Sequence, residues 1–299
     1  MNIRRMSGVI PPMLTPFTST GELDENKHLL NMERWNQSDL AGYLVLGSNS
    51  EAVYLKEAEK HRLIQLTVRH ALPGRVILAG TGMESTRETI TLTNEAADLG
   101  AHGALILTPF YYGSKMNEDA LIQYYTTVAD HARIPILIYH VSKFTHISLS
   151  VRTVKVLSRH PNIVGMKDSS GDIGQLVRFS QVIPPDFNLM VGTASIWYPA
   201  LTLGIKAGIM ALANVAPGQC IAIQDLYRKG NHEEAARLYV KMFPVNDAVT
   251  AMYGVAGLKF AATLLGYQGG AVRSPLLPVD EREQAAIRGI LIGSGLLQG

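Results

Sequence analysis

The chain has 299 residues, 47% of them hydrophobic and 17% charged, with a formal net charge of +2 and a single cysteine, Cys220. That length exceeds a modal domain but is ordinary for an α/β barrel, so one large unit with a well-buried core is expected and a disordered chain is excluded. Apart from the brief Arg4-Arg5 pair there is no basic stripe for nucleic acid, and a lone cysteine excludes an internal disulfide or cysteine-based zinc cluster and fits a reducing, cytoplasmic setting.

The N-terminus passes at once into Ser7-Gly8-Val9-Ile10 and two prolines, which is no secretion signal. A removed transit peptide would leave no trace. Apolar runs then recur at residues 9–14, 42–46, 76–79, 104–107, 136–139, 163–166, 189–191 and 209–213. Continuous rather than alternating apolarity predicts strands buried on both faces, as in a parallel sheet. Between the runs lie helical segments with readable starts. Asp24, Asn117 and Ser150 are N-cap residues in this reading, and Ser85-Thr86-Arg87-Glu88 is a capping box. The repeating unit is βα, and eight such units predict a (β/α)₈ TIM barrel over residues 1–230. Helices at 221–228, 233–242, 247–265 and 281–291 follow the eighth strand. They supply the last barrel helix and a C-terminal helical extension, residues 231–299, with no linker to make it a separate domain. No apolar stretch, including that near residues 209–215, reaches the ~20 residues that span a membrane.

Barrel active sites occupy the C-terminal ends of the strands. Those ends carry Thr15-Pro16-Phe17, Gly47-Ser48-Asn49-Ser50-Glu51, Gly80-Thr81-Gly82, Thr108-Pro109-Phe110-Tyr111-Tyr112, Tyr139-His140 and Lys167. A lysine at the end of a buried strand loses hydration, which favours the neutral amine that forms Schiff bases. By position alone, snorkelling to water is the commoner fate of such a lysine. The Gly47-Ser48-Asn49 loop, read alone, is also an ordinary strand-to-helix turn.

Taken together, and with Ala213-Asn214-Val215-Ala216-Pro217, Gly269-Gly270 and Arg273-Ser274-Pro275-Leu276, these motifs resemble the dihydrodipicolinate synthase and N-acetylneuraminate lyase family of class I aldolases over nearly the whole chain. The resemblance implies that Lys167 forms a covalent Schiff base with a 2-oxo acid such as pyruvate, with no separate cofactor and no metal. It implies that Gly47, Ser48 and Asn49 hold the oxo-acid carboxylate, and that Tyr139 is the general acid and base. Tyr111 would be lent to a neighbouring subunit's Ser48 and Tyr139, so a homotetramer built as a dimer of dimers is expected, with Tyr112 packing nearby. Glu51 is expected to organise its loop by hydrogen bonds, and Arg273 to anchor the extension.

Departures from the family pattern narrow the substrate. Where the resemblance expects an arginine for the second substrate's carboxylate, the strand-five loop has Phe144, with Lys143 beside it as the remaining cation. Ser142 and His146 stand in for a proline and a glycine, and Ser50 stands where relatives have glycine, a strain if that position needs positive φ. The Gly-Ser-Asn loop, the run Gly165-Met166-Lys167-Asp168-Ser169 and Gly257-Leu258-Lys259 resemble the 4-hydroxy-2-oxoglutarate aldolase branch most. Alternatives are a 2-keto-3-deoxy sugar-acid aldolase or dehydratase using Thr145, Thr193 and Ser195, a dihydrodipicolinate synthase-like condensation, and a noncatalytic barrel that binds oxo acids. His140 and His146 are expected at the surface of the loop, outside any metal-ligand motif.

Overall fold

A computed structural model describes residues 3–299. Its eight strands are β1 (Gly8–Ile10), β2 (Gly42–Val45), β3 (Val76–Gly80), β4 (Gly103–Leu107), β5 (Ile136–His140), β6 (Ile163–Asp168), β7 (Asn188–Val191) and β8 (Ala207–Ile209). All pairings are parallel, in the order β1-β8-β7-β6-β5-β4-β3-β2. The circle closes beyond β1, where the Met13 N–H donates to Leu44 O at 2.9 Å and Leu44 N–H donates to Pro11 O at 3.1 Å. This is a TIM barrel.

The helices are α1 (Glu25–Asn36), α2 (Glu57–His70), α3 (Thr86–Asp98), α4 (Glu118–His131), the single turn α5 (Ser142–Thr145), α6 (Val151–Leu157), α7 (Ile173–Ser180), α8 (Trp197–Thr202) and α9 (Pro217–Arg228). Four starts are set by side chains named from sequence. Asp24, Ser85, Asn117 and Ser150 accept from the N–H groups of Lys27, Glu88, Ala120 and Thr153, which satisfies a donor that the first turn leaves free. The box at Ser85 is only half made, since the exposed Glu88 carboxylate stays in water rather than returning to the Ser85 N–H.

Two apolar layers result. Ile10, Leu44, Leu78, Leu105, Leu137, Val164, Met190 and Ile209 fill the barrel interior. Trp35, Ile64, Tyr125, Ile138, Met166, Phe179 and Trp197 pack between sheet and helices. Burying each such large side chain contributes roughly 1.5–3 kcal/mol. Trp35 also donates its indole N–H to Asn214 O at 3.0 Å, which ties α1 to the end of β8.

Three expected strands are shorter than their apolar runs, β2 by the single residue Leu46. β1 stops at Ile10 because Pro11 and Pro12 lack the N–H that a ladder needs. β8 covers Ala207–Ile209 rather than 209–213, because the Asn214 amide bonds Pro12 O and Ala211 O and draws the chain into a 3₁₀ turn. The extension also departs from its pattern. The expected helices 233–242 and 247–265 are α10 (His232–Asp247), a π-helical turn (Ala248–Met252) and α11 (Gly254–Leu264), followed by α12 (Glu281–Gly293). Pro244 lies inside α10 and supplies no N–H, so the helix register changes shortly after it. No helix among the described residues is long and apolar enough to cross a membrane.

Candidate active site

Strand β6 aims its lysine by means of an irregularity. Across β5 and β6 the register runs Ile136 to Ile163 and then Leu137 to Gly165, so Val164 is an extra residue in β6. A bulge reverses which side chains face inward beyond it. Val164 fills the interior, and Lys167, three residues on, points inward as well, directly opposite Tyr139. The Lys167 ammonium lies 4.1 Å from the centre of the Tyr139 ring. With 3% of its surface exposed, Lys167 does not snorkel. Gly165 makes this approach of β6 to β7 possible, since a Cβ there would sit 2.6 Å from Asn188 O.

The Tyr139 hydroxyl reaches Ser48 Oγ at 3.3 Å, which joins the strand-five tyrosine, the strand-six lysine and the loop after β2 in one constellation. Gly47 leads into a 3₁₀ turn, Ser48–Ser50, whose first N–H groups have no intrahelical partner and can receive a carboxylate. Ser50 is unstrained. Positive φ falls instead on Leu46 and Glu51, at 61° and 53°, while the Ser50 hydroxyl is buried and donates to Met13 O at 2.6 Å.

Beneath this loop lies a charge cluster. Lys259 pairs with Glu51, and its ammonium also donates to Ala271 O at 2.5 Å. The Arg273 backbone N–H donates to the Glu51 carboxylate at 2.8 Å, and its guanidinium forms a two-pronged contact with Glu59 at 2.6 and 2.8 Å. Both cations stack on Phe17, at 4.4 and 4.1 Å from its ring. Phe17 of the Thr-Pro-Phe motif is thus a buried platform. Gly270, at φ 68°, allows the extension to lie against it, since a Cβ would meet Phe17 N at 2.7 Å. Loss of hydration lowers the Lys259 ammonium to about 8, against the opposing pull of Glu51.

The remaining named residues are not all gathered. Tyr111 and Tyr112 project from the end of β4, 75% and 70% exposed, edge to face at 5.0 Å. Tyr112, expected to pack, contacts Tyr111 in open solvent within this single chain, because the turn that carries both leaves the barrel wall. Glu84, unnoticed in the sequence, fixes that turn by accepting the N–H groups of Phe110 and Tyr111 at 3.0 and 2.9 Å. Phe144 is 53% exposed, and Lys143 donates to Thr250 O at 3.3 Å. Thr145 is buried and bonds Val141 O, whereas Thr193 and Ser195 share a 3.1 Å contact after β7. His146 is exposed and takes φ 56° where a glycine would be unstrained. His140 is not on the surface as expected. It is 1% exposed, behind the sheet, because side chains alternate along β5 and Tyr139 takes the inner face. Away from this site, Glu57, His61 and Glu95 group on the exposed face of α2 and α3, where His61 Nε2 lies 2.9 Å from Glu95.

The sequence that places a buried lysine against a tyrosine at the barrel mouth also matches a known family. The model of the dihydrodipicolinate synthetase family matches residues 5–292. The chain belongs to this family. It is 35% identical over 292 residues to a 4-hydroxy-tetrahydrodipicolinate synthase from Methanoculleus marisnigri, covering 96% of this chain and 99% of that one. Its identity to the synthase of Acidiphilium cryptum is 32%, covering 97% and 99%. The chloride-inhibited dihydrodipicolinate synthase of Acinetobacter baumannii, solved with pyruvate, superposes with a TM-score of 0.93 at 28% identity, over 98% of this chain and 100% of that one. Members of the dihydrodipicolinate synthetase family are lyases and condensing enzymes of the class I aldolase type. They work through a Schiff base between a lysine and pyruvate, without an external cofactor.

Proposed function

We propose that the protein is a class I aldolase that cleaves a 4-hydroxy-2-oxo acid, with 4-hydroxy-2-oxoglutarate as the leading substrate, to pyruvate and glyoxylate. Lys167 Nζ attacks the C2 ketone, and the carbinolamine loses water to give a protonated imine. Tyr139 takes the C4 hydroxyl proton, relayed through Ser48, as the C3–C4 pair flows into the imine and the aldehyde leaves. Protonation of the enamine at C3 and addition of water return pyruvate and free Lys167. Gly47, Ser48 and Asn49 hold the C1 carboxylate. Phe144, a ring where a synthase needs a guanidinium, weighs against a synthase, and the Gly47-Ser48-Asn49 loop with the run at residues 165–169 carries the choice of the aldolase. Lys143 is no substitute while it is engaged with Thr250 O. The relatives named as synthases favour the alternative, condensation of pyruvate with an amino-aldehyde acid, and Thr193 with Ser195 suits a deoxy sugar acid.

Incubation with pyruvate and borohydride, followed by peptide mass spectrometry, should give a reduced adduct on Lys167 that Lys167→Ala abolishes. Pyruvate release from 4-hydroxy-2-oxoglutarate is expected to exceed that from 2-keto-3-deoxy sugar acids and to exceed condensation with aspartate semialdehyde. A preference for either competitor replaces this reading with the corresponding one. Assembly is part of the proposal. Tyr111 lies outside the relay of its own chain, so a tetramer in which a neighbour supplies it is expected by sedimentation, with Tyr111→Phe lowering kcat.

A further inference from the structure

One step beyond the Tyr139 and Lys167 pair, on the helix side of the sheet, His140 of β5 stands opposite Asp168 of β6. Both side chains are buried, at 1% and 0% exposure, and His140 Nδ1 lies 2.5 Å from Asp168 Oδ1. The imidazole packs edge-on against Phe179 of α7, with ring centres 6.2 Å apart. His140 Nε2 accepts the Leu149 N–H at 3.4 Å, which leaves the ring proton on Nδ1 to be donated to Asp168. Gln175 also approaches Nδ1, at 3.4 Å, a much longer contact. The second Asp168 oxygen accepts the Ser170 hydroxyl at 2.6 Å. The main chain repeats the connection. Ser169 N–H donates to His140 O at 2.9 Å, and Gly192 N–H donates to Asp168 O at 2.6 Å. The fully buried Asp168 carboxyl group thus has both oxygens engaged, one with His140 and one with Ser170.

We propose that the His140 and Asp168 pair is a positioning device for the imine chemistry. It clamps the strand ends that carry Tyr139 and Lys167, joins them to the loops after β5, β6 and β7, and keeps an acidic group in the residue that follows Lys167 in β6. The inference rests on Lys167 being the imine-forming residue.

Asp168→Asn keeps the shape and the acceptor for His140 but removes the acidic group, whereas His140→Asn keeps the acidic group and opens the clamp. With melting temperature as the control for folding, each variant is expected to slow borohydride trapping of pyruvate on Lys167, and kcat with it, by about tenfold or more, while KM for pyruvate stays within about threefold. Wild-type trapping rates and kcat in both variants overturn the inference, and the adduct on Lys167 in the unaltered protein keeps the aldolase reading standing. No adduct in the unaltered protein overturns that reading and this inference together. If Asp168→Asn does not fold, His140→Asn decides alone, a slowed rate supporting the clamp and an unchanged one removing it.

Discussion

Under the proposed reading, Lys167 and Tyr139 make different demands on chemistry although they touch. Imine formation needs the amine, while bond cleavage needs a group to take a hydroxyl proton. Tyr139→Phe keeps the ring against Lys167 and should retain the trapped pyruvate adduct while lowering the cleavage rate by ~10²–10⁴-fold. Equal loss of trapping and cleavage would place Tyr139 in imine formation instead. In the loop after β5, Phe144→Arg introduces a planar donor able to grip a carboxylate with two hydrogen bonds. Under the proposed reading it should raise condensation with aspartate semialdehyde relative to cleavage of 4-hydroxy-2-oxoglutarate, measured as a ratio of kcat/KM values. Lys167 could be singled out from its place at the end of an apolar run, whereas Tyr139 and Ser48 are named through the family resemblance of the strand-end motifs. His140 could not be placed, because its burial depends on which face of β5 it occupies. Glu84 was invisible for a similar reason, since its partners are backbone groups 26 and 27 residues away.

Among elements, the apolar runs located all eight strands, but their ends were decided by groups from elsewhere. Pro11 and Pro12 shorten β1 by a local rule, whereas the Asn214 amide shortens β8 by reaching the segment that follows β1. The bulge at Val164 has no local signature, being a mismatch between two strands rather than a property of one. Helix packing holds a titration of its own. His28 of α1 is buried beside Thr67 of α2, and loss of hydration lowers its imidazole from an ordinary 6.5 to about 4, with His70 adding to the effect. Between those values the unfolded chain binds the proton and the folded one does not, so stability is complete above about pH 6.5 and falls as pH drops toward 4. The full effect is about 3 kcal/mol. His28→Leu should flatten that part of the profile of stability against pH, measured by denaturant midpoints. An unchanged slope would assign the acid sensitivity to other groups.

Across the whole molecule, the extension is joined to the barrel mouth through Glu51, Lys259, Arg273 and Glu59, with Phe17 between the cations. Removing one member of a buried ion pair leaves the other charged and unpaired, so Lys259→Met should cost ~3–5 kcal/mol of stability. Because Glu51 is the residue that ends the Ser48–Ser50 turn, the same substitution should raise KM for pyruvate more than it lowers kcat. A change confined to melting temperature would separate the cluster from substrate binding. The sequence alone determined the periodic part of this protein. Eight buried strands, their helices, four caps and the order of residues at the strand ends all follow from local propensity and from the hydration cost of apolar runs. Tertiary structure decided what depends on two segments at once. Closure beyond β1 by Met13 and Leu44, the bulge that turns Lys167 toward Tyr139, the burial of His140 with Asp168, and the stacking of Lys259 and Arg273 on Phe17 each require contacts across the chain, whose partners no local pattern specifies.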